Sequence, residues 1–227
     1  MHVVLRKNAR IHDKQPLINI VRYVLKKPFD VVRHFSVETI EPGGGYDAHK
    51  HRDIDILTYV YEGTLTHRDS LSNNVALSAG SIQHAVAGSG ITHSETNERE
   101  EPVKLVHIWL EPTSMTKRPT YARTTFTKRE RLNAPLRAVV NHPMPGRIQI
   151  EQSLNAHILD AEAGANITRR ADATSTFLFV LLDGEVTING ERLLALDALM
   201  TDDTLEIETT HDSRAFILEH FTRRKED

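Results

Sequence analysis

The sequence predicts an all-β protein built from two jelly-roll β-barrels packed together, with few short helices. Three observations carry that expectation. Short apolar segments such as DILTYVYEG and KLVHIWLEP alternate with Gly, Asn and Asp turn chemistry over most of the chain. Sustained helical periodicity is scarce. The third observation is an internal repeat: Leu57-Thr58-Tyr59-Val60-Tyr61-Glu62-Gly63-Thr64-Leu65-Thr66 aligns with Leu178-Phe179-Val180-Leu181-Leu182-Asp183-Gly184-Glu185-Val186-Thr187. Two copies of one β unit give two lobes.

In chain order, Arg10 to Lys27 (RIHDKQPLINIVRYVLKK) is either a short helix or an added strand, because its apolar run is too short for periodicity to decide. Val31 to Glu111 reads as strands separated by turns at Gly43-Gly44-Gly45, Asn73-Asn74 and Gly88-Ser89-Gly90. Met115 to Arg131 turns polar and basic and reads as a solvated connection. Strands resume in RIQIEQSLNAHILDAEAG, TFLFVLLDGEVTINGERLLAL and LEIETTHDSRAFILEHF, with Asn189-Gly190 as a hairpin turn. The expected organisation is an N-terminal barrel over 1–114, a linker over 115–135 and a C-terminal barrel over 136–227.

Composition narrows the function. Among 227 residues, 28 Lys and Arg stand against 31 Asp and Glu, a net charge of -3, so no overall field argues for nucleic acid or an anionic membrane. The absence of cysteine removes thiolate nucleophiles, zinc fingers and iron–sulfur clusters, but not a metal held by nitrogen and oxygen. The N-terminus MHVVLRKNARIHDKQPL lacks a continuous apolar stretch, and no segment has the length of a bilayer span, so a cytoplasmic protein is expected. No phosphate-binding glycine loop and no nucleophile elbow occurs.

The chemistry concentrates in two short motifs. His49-Lys50-His51 puts two imidazoles at i and i+2, on one face of a strand and about 6 to 7 Å apart along it. His93-Ser94-Glu95 repeats the spacing with an imidazole and a carboxylate. If the two strands face one another, three nitrogens and one oxygen converge, a donor set that suits iron, copper, nickel, zinc or manganese. Any single histidine among the 13 is more often exposed or hydrogen-bonded than a ligand; two same-face pairs are the stronger signal. Glu95 is also the candidate catalytic base, a role that calls for a raised pKa. His67 is expected to pair with its charged neighbours, and His84 and His107 to be half-buried or to line the cavity. Asp55 is expected to orient an imidazole rather than bind metal. His142, His157, His211 and His220 show no paired spacing and are expected to be structural or exposed.

These residues resemble the cupin superfamily and, more closely, the pirin family. Gly43, His49-Lys50-His51, Asp55 and Gly63 follow the first cupin motif, and HKHRDIDILTYVYEGTLTHRDSLSNN and AGSGITHSETN resemble two signature stretches of bacterial pirin-like proteins. The resemblance implies a bicupin whose N-terminal barrel carries an iron-type ion on His49, His51, His93 and Glu95. It implies a metal-free second barrel, since Arg170 and Asp172 align with His49 and His51. Bacterial members include quercetin 2,3-dioxygenases, so it further implies a small aromatic, flavonol-like substrate and dioxygen. Other pirins are regarded as regulators, which implies the competing reading of a non-catalytic metal- or redox-sensing protein acting through a protein partner. The chain departs from the family at Asp55, where glutamate is usual, and in lacking an aromatic HTFSF-like segment near the N-terminus.

Overall fold

Strand Asp55–Glu62 shows how the sequence selects its structure. Its β-branched and aromatic residues favour the pleated backbone, and its side chains are buried from Asp55 to Tyr61, so it lies centrally in a sheet with both faces covered. Its repeat copy, Ser175–Asp183, is buried in the same way. In this computed structural model, which describes residues 1–222, the chain divides into two compact units. One runs from Arg10 to Phe126, and the other joins Met1–Ala9 to the chain from Thr127 onward.

Each unit holds a seven-stranded and a four-stranded sheet. In the first, the large sheet runs in the order Thr120–Thr125, Ser81–Val86, Asp55–Glu62, Val103–Leu110, Val32–Ile40, Ile18–Tyr23, Arg10–Gln15. Its small sheet runs Gly45–His51, Ile91–Thr96, Thr64–Asp69, Asn74–Ser78. In the second, the large sheet runs His2–Leu5, Ala198–Thr201, Ser175–Asp183, Ser213–Phe221, Leu154–Ala161, Leu136–Val140, Ile148–Gln149. The small one runs Asn166–Arg169, Leu205–Thr209, Glu185–Ile188, Glu191–Leu194. Helix is confined to two 3-10 turns, Lys7–Ala9 and Lys128–Arg131, among the described residues.

The repeat extends to backbone hydrogen bonds at the start of the paired strands. In the first unit Gly43 N–H donates to the Asn97 carbonyl and Asn97 N–H to the Gly44 carbonyl; in the second, Gly164 and Ala165 exchange the same pair with Thr209. Gly63 and Gly184 occupy matching turns with φ of 76° and 89°. A Cβ at Gly63 would lie 2.5 Å from the Pro102 carbonyl oxygen, and one at Gly184 2.5 Å from that of Asp212, so both turns require glycine. Ile40, Val60, Leu65, Leu77 and Leu105 are core residues of the first unit. Phe177, Phe179, Leu181, Leu199 and Ile217 form the core of the second.

The expected boundaries shift at two places. Thr120–Thr125, placed in the linker by sequence, is a strand paired with Ser81–Val86 in the first unit. It lies at the sheet edge and is largely exposed, so no apolar alternation marks it. Met1–Ala9, expected in the first barrel, belongs to the second, where His2–Leu5 pairs with Ala198–Thr201. The undecided Arg10 to Lys27 region is a hairpin, Arg10–Gln15 with Ile18–Tyr23, turned at Leu17 with φ 62°. Positions 223–227 of the expected second barrel lie outside the described residues. No helix among the described residues is long and apolar enough to cross a membrane.

Candidate metal centre

The two histidine-bearing motifs lie on adjacent antiparallel strands, with His93 directly opposite His49 and Ile91 opposite His51. Cross-strand pairing brings His93 to His49, and the two-residue period brings in His51. The three Nε2 atoms turn toward one another: His49 to His51 is 2.9 Å and His93 to His49 is 3.2 Å. His49 Nδ1 lies 2.7 Å from the Asp47 carbonyl oxygen, which can only accept, so Nδ1 carries the hydrogen. In the neutral ring Nε2 is then left with its lone pair. Burial, with the charges of His49 and His107, pushes His51 down to about 4. Burial also takes His93 to about 4, against the raising influence of Glu95.

A single N–H can satisfy the His49 Nε2 lone pair from only one of its two partners, whereas a cation between the three nitrogens can accept a lone pair from each. Metal–nitrogen bonds of about 2.0–2.1 Å place neighbouring ligand nitrogens about 3 Å apart, which matches these separations. The three histidines fit an ion.

Glu95 stands slightly apart. A register shift separates it from His93 in the pairing with Gly45–His51, where it lies opposite Tyr46; on the other side it lies opposite His67 in a regular ladder, and it groups with His93 and His67 within 4.8 Å. It is buried, accepts a hydrogen bond from Thr58 Oγ1 at 3.1 Å and a short one from Gln83 Nε2, and lies 3.8 Å from both His67 Nδ1 and His107 Nε2. Burial alone would raise its pKa, but the adjacent His67 imidazole and the charges of His107 and His93 hold it well below the carboxylate range. The raised pKa required of a base is therefore absent, whereas an ionised carboxylate suits a metal ligand.

His67 pairs with Asp69 at 3.1 Å, as expected, but it also stacks on Tyr121 and joins Glu95, which its sequence neighbours did not reveal. His84 lies 3.8 Å from Asp55, so Asp55 faces an imidazole outside the three-histidine cluster.

A cavity of about 180 Å³ opens on His49 and is lined by Glu38, Tyr46, His107, Trp109 and His34, among others. His107 thus lines it, the less favoured of the two roles expected for it; His84 is not among its walls. Glu38 is buried, accepts hydrogen bonds from Ser36 at 2.6 Å and Tyr46 at 2.9 Å, and lies 3.7 Å from His107 Nδ1. Burial opposes the charge on both groups of that pair, yet the mutual attraction wins, lowering Glu38 and raising His107. The sequence reading missed this wall. Its signal is His34, Ser36 and Glu38 at alternate positions of the apolar strand VRHFSVETI, which puts three polar groups on one face.

The sequence repeat matches Arg170 and Asp172 to His49 and His51, but the second unit lacks the register shift that follows His93, so Arg169, not Arg170, lies opposite Leu205 as His49 lies opposite His93. Counting from the matched hydrogen bonds, the second unit sets Leu205 and Ile207 where the first has His93 and Glu95. No more than one of these side chains could bind a metal.

Two repeated jelly-roll units, one of them carrying three convergent imidazoles on paired strands, define a bicupin. A sequence profile described as Pirin matches residues 7–110, and one described as the quercetinase C-terminal cupin domain matches 140–219. The chain is 31% identical to a pirin-like protein of Caulobacter vibrioides over 79% of this chain and 78% of that one. It belongs to the pirin family. It is also 29% identical to a quercetin 2,3-dioxygenase of Escherichia coli K12, over 84% of this chain and 81% of the relative. The crystal structure of the bacterial pirin YhhW from Escherichia coli in complex with nickel(II) matches with a TM-score of 0.84 at 25% identity, covering 98% of this chain and 100% of that one.

Proposed function

We propose that the protein is a metal-dependent dioxygenase of the pirin and quercetinase type, which cleaves a flavonol-like substrate with dioxygen. His49, His51, His93 and Glu95 would hold one divalent ion, iron first among those that the donor set admits, with nickel named for a relative. The observation that carries this reading is the convergence of three imidazole nitrogens at 2.9 and 3.2 Å beside a cavity that reaches one of them. A regulator working only through its surface has no need of a cavity at the ligands.

Bound there, the ion supplies Lewis acidity to ionise an enol-type hydroxyl and a redox-active centre for dioxygen. The chain's own residues do the rest. Asp47 fixes the His49 ring through Nδ1. Thr58 and Gln83 hold the Glu95 carboxylate in place. Trp109 and Tyr46 give the cavity its apolar walls, and Tyr46, already donating to Glu38, orients that carboxylate toward the pocket. At about 180 Å³ the cavity is below the usual range of about 300–1,000 Å³ for whole drug-sized ligands, so it admits the reacting ring and leaves the remainder at the mouth.

The test is direct. Protein reconstituted separately with iron, nickel, copper or manganese is mixed with quercetin in air, and flavonol loss and oxygen uptake are followed beside a His49→Ala control. Turnover that disappears in the variant is expected. Absence of turnover with every metal sinks the quercetinase reading, and wild type that takes up no metal sinks the wider one.

A further inference from the structure

A second cavity, of about 440 Å³, lies in the other unit, at the residues that replace the histidine motif in the repeat. We propose that it is a binding site for a small monocarboxylate with an aromatic or other apolar body, gripped by Arg137 and Arg170.

The cavity is built around a fixed polar wall. Glu219 is buried at its base and accepts hydrogen bonds from Arg169 at 2.7 and 2.8 Å, from His157 at 2.9 Å and from Ser175 at 3.0 Å. Arg169 donates its other terminal nitrogen to the Arg170 carbonyl at 2.7 Å. Arg169 and Glu219 therefore satisfy one another and hold the shape of the site. Asp172 is likewise engaged, accepting from the Thr174 N–H at 2.8 Å and the Thr174 hydroxyl at 2.7 Å.

Two guanidiniums lining the cavity are left with capacity. Arg137 comes no closer than 4.0 Å to Glu219, and the Arg170 guanidinium makes no hydrogen bond or ion pair among the described residues. Among the described residues that line the cavity, three arginines stand against two acidic residues, an excess of one positive charge. That balance favours a single negative charge, and the planar guanidinium fork matches a carboxylate through two parallel hydrogen bonds. A phosphate dianion would meet Asp172 and Glu219 as like charges. The volume falls in the range of small-molecule sites and exceeds a bare carboxylate, and Phe221 and Ala171 supply apolar surface for a ligand body.

Sodium benzoate is the probe, titrated calorimetrically into metal-loaded full-length protein. Saturable binding is expected in wild type and in His49→Ala. In the Arg137→Gln/Arg170→Gln double variant it should weaken by about tenfold or more, the scale of losing a charge-assisted hydrogen bond. No saturable binding to wild type overturns the proposal, as does unchanged affinity in the double variant. So does loss of binding in His49→Ala alone, which would place benzoate on the metal of the other unit. Inorganic phosphate should compete only weakly; displacement of benzoate at lower phosphate than benzoate concentration overturns the carboxylate assignment. Should the double variant misfold, the arginine Nε–H resonances of the wild type answer the same question: those of Arg137 and Arg170 shift with benzoate, or the proposal fails. None of these outcomes depends on quercetin turnover.

Discussion

His49 owes its role to its other nitrogen. The Asp47 carbonyl fixes Nδ1 as a donor, so Nε2 is turned, lone pair outward, toward His51 and His93. Burial keeps those two partners neutral to about pH 4 in the folded protein, against an ordinary 6.5. Between these values the unfolded chain takes up protons that the folded chain refuses, so stability of the metal-free protein falls as pH drops from 6.5 toward 4. Denaturant midpoints measured across that window should decline with acid, and the decline should be shallower in His93→Asn; equal slopes would refute the assignment. Glu219 gives an acid-side counterpart in the second unit. Its burial would raise its pKa, but the hydrogen bond and charge of His157, with the Arg169 charge, bring it from an ordinary 4.5 to about 2. Stability from that cluster is complete above pH 4.5 and is lost as pH falls through 2. Glu219→Gln should flatten the lowest part of the acid unfolding curve while lowering stability at neutral pH.

At the scale of elements, adjacent strands make the centre. Neither the Gly45–His51 strand nor the Ile91–Thr96 strand could hold an ion alone, and their antiparallel register sets His93 opposite His49. On its other side Ile91–Thr96 pairs with Thr64–Asp69 without a shift, which sets His67 opposite Glu95 and brings it into the network. Turns hold the sheets in this arrangement, and their glycines are unequal. Gly146→Ala, with φ 72° and open space around the new methyl, should cost about 1–2 kcal/mol for the left-handed backbone alone. Gly63→Ala carries the same cost and drives its methyl into the Pro102–Val103 backbone, so it should lower the melting temperature distinctly further. Equal shifts in the two variants would show that the close approach at Gly63 is relieved without penalty.

For the whole molecule, the same β unit serves twice with different chemistry: imidazoles and a carboxylate on the paired strands of one copy, Arg169 opposite Leu205 with Ile207 beyond it in the other. The N-terminal residues stabilise the copy that does not contain the histidines. His2–Leu5 adds an edge strand there, and Arg6 pairs with the buried Asp197 at 3.0 Å. Deleting residues 1–9 should lower the melting temperature, with newly exposed amides in hydrogen exchange at Ala198–Thr201, and leave metal stoichiometry unchanged. Loss of metal on truncation would contradict this division of roles. The sequence by itself determined the all-β class, the duplication and the three histidines, because a two-residue period fixes which side chains share a strand face whatever the partner strand is. It did not determine the strand Thr120–Thr125, whose exposed edge position needs no apolar pattern, or the assignment of Met1–Ala9, since strand pairing is free of sequence proximity. Only the tertiary structure decided that Glu95 sits with His67, that Glu38 and His34 wall the cavity, and that Arg137 shares a pocket with Arg170. Those relations join residues from different strands, and register, not local composition, sets the distances between them.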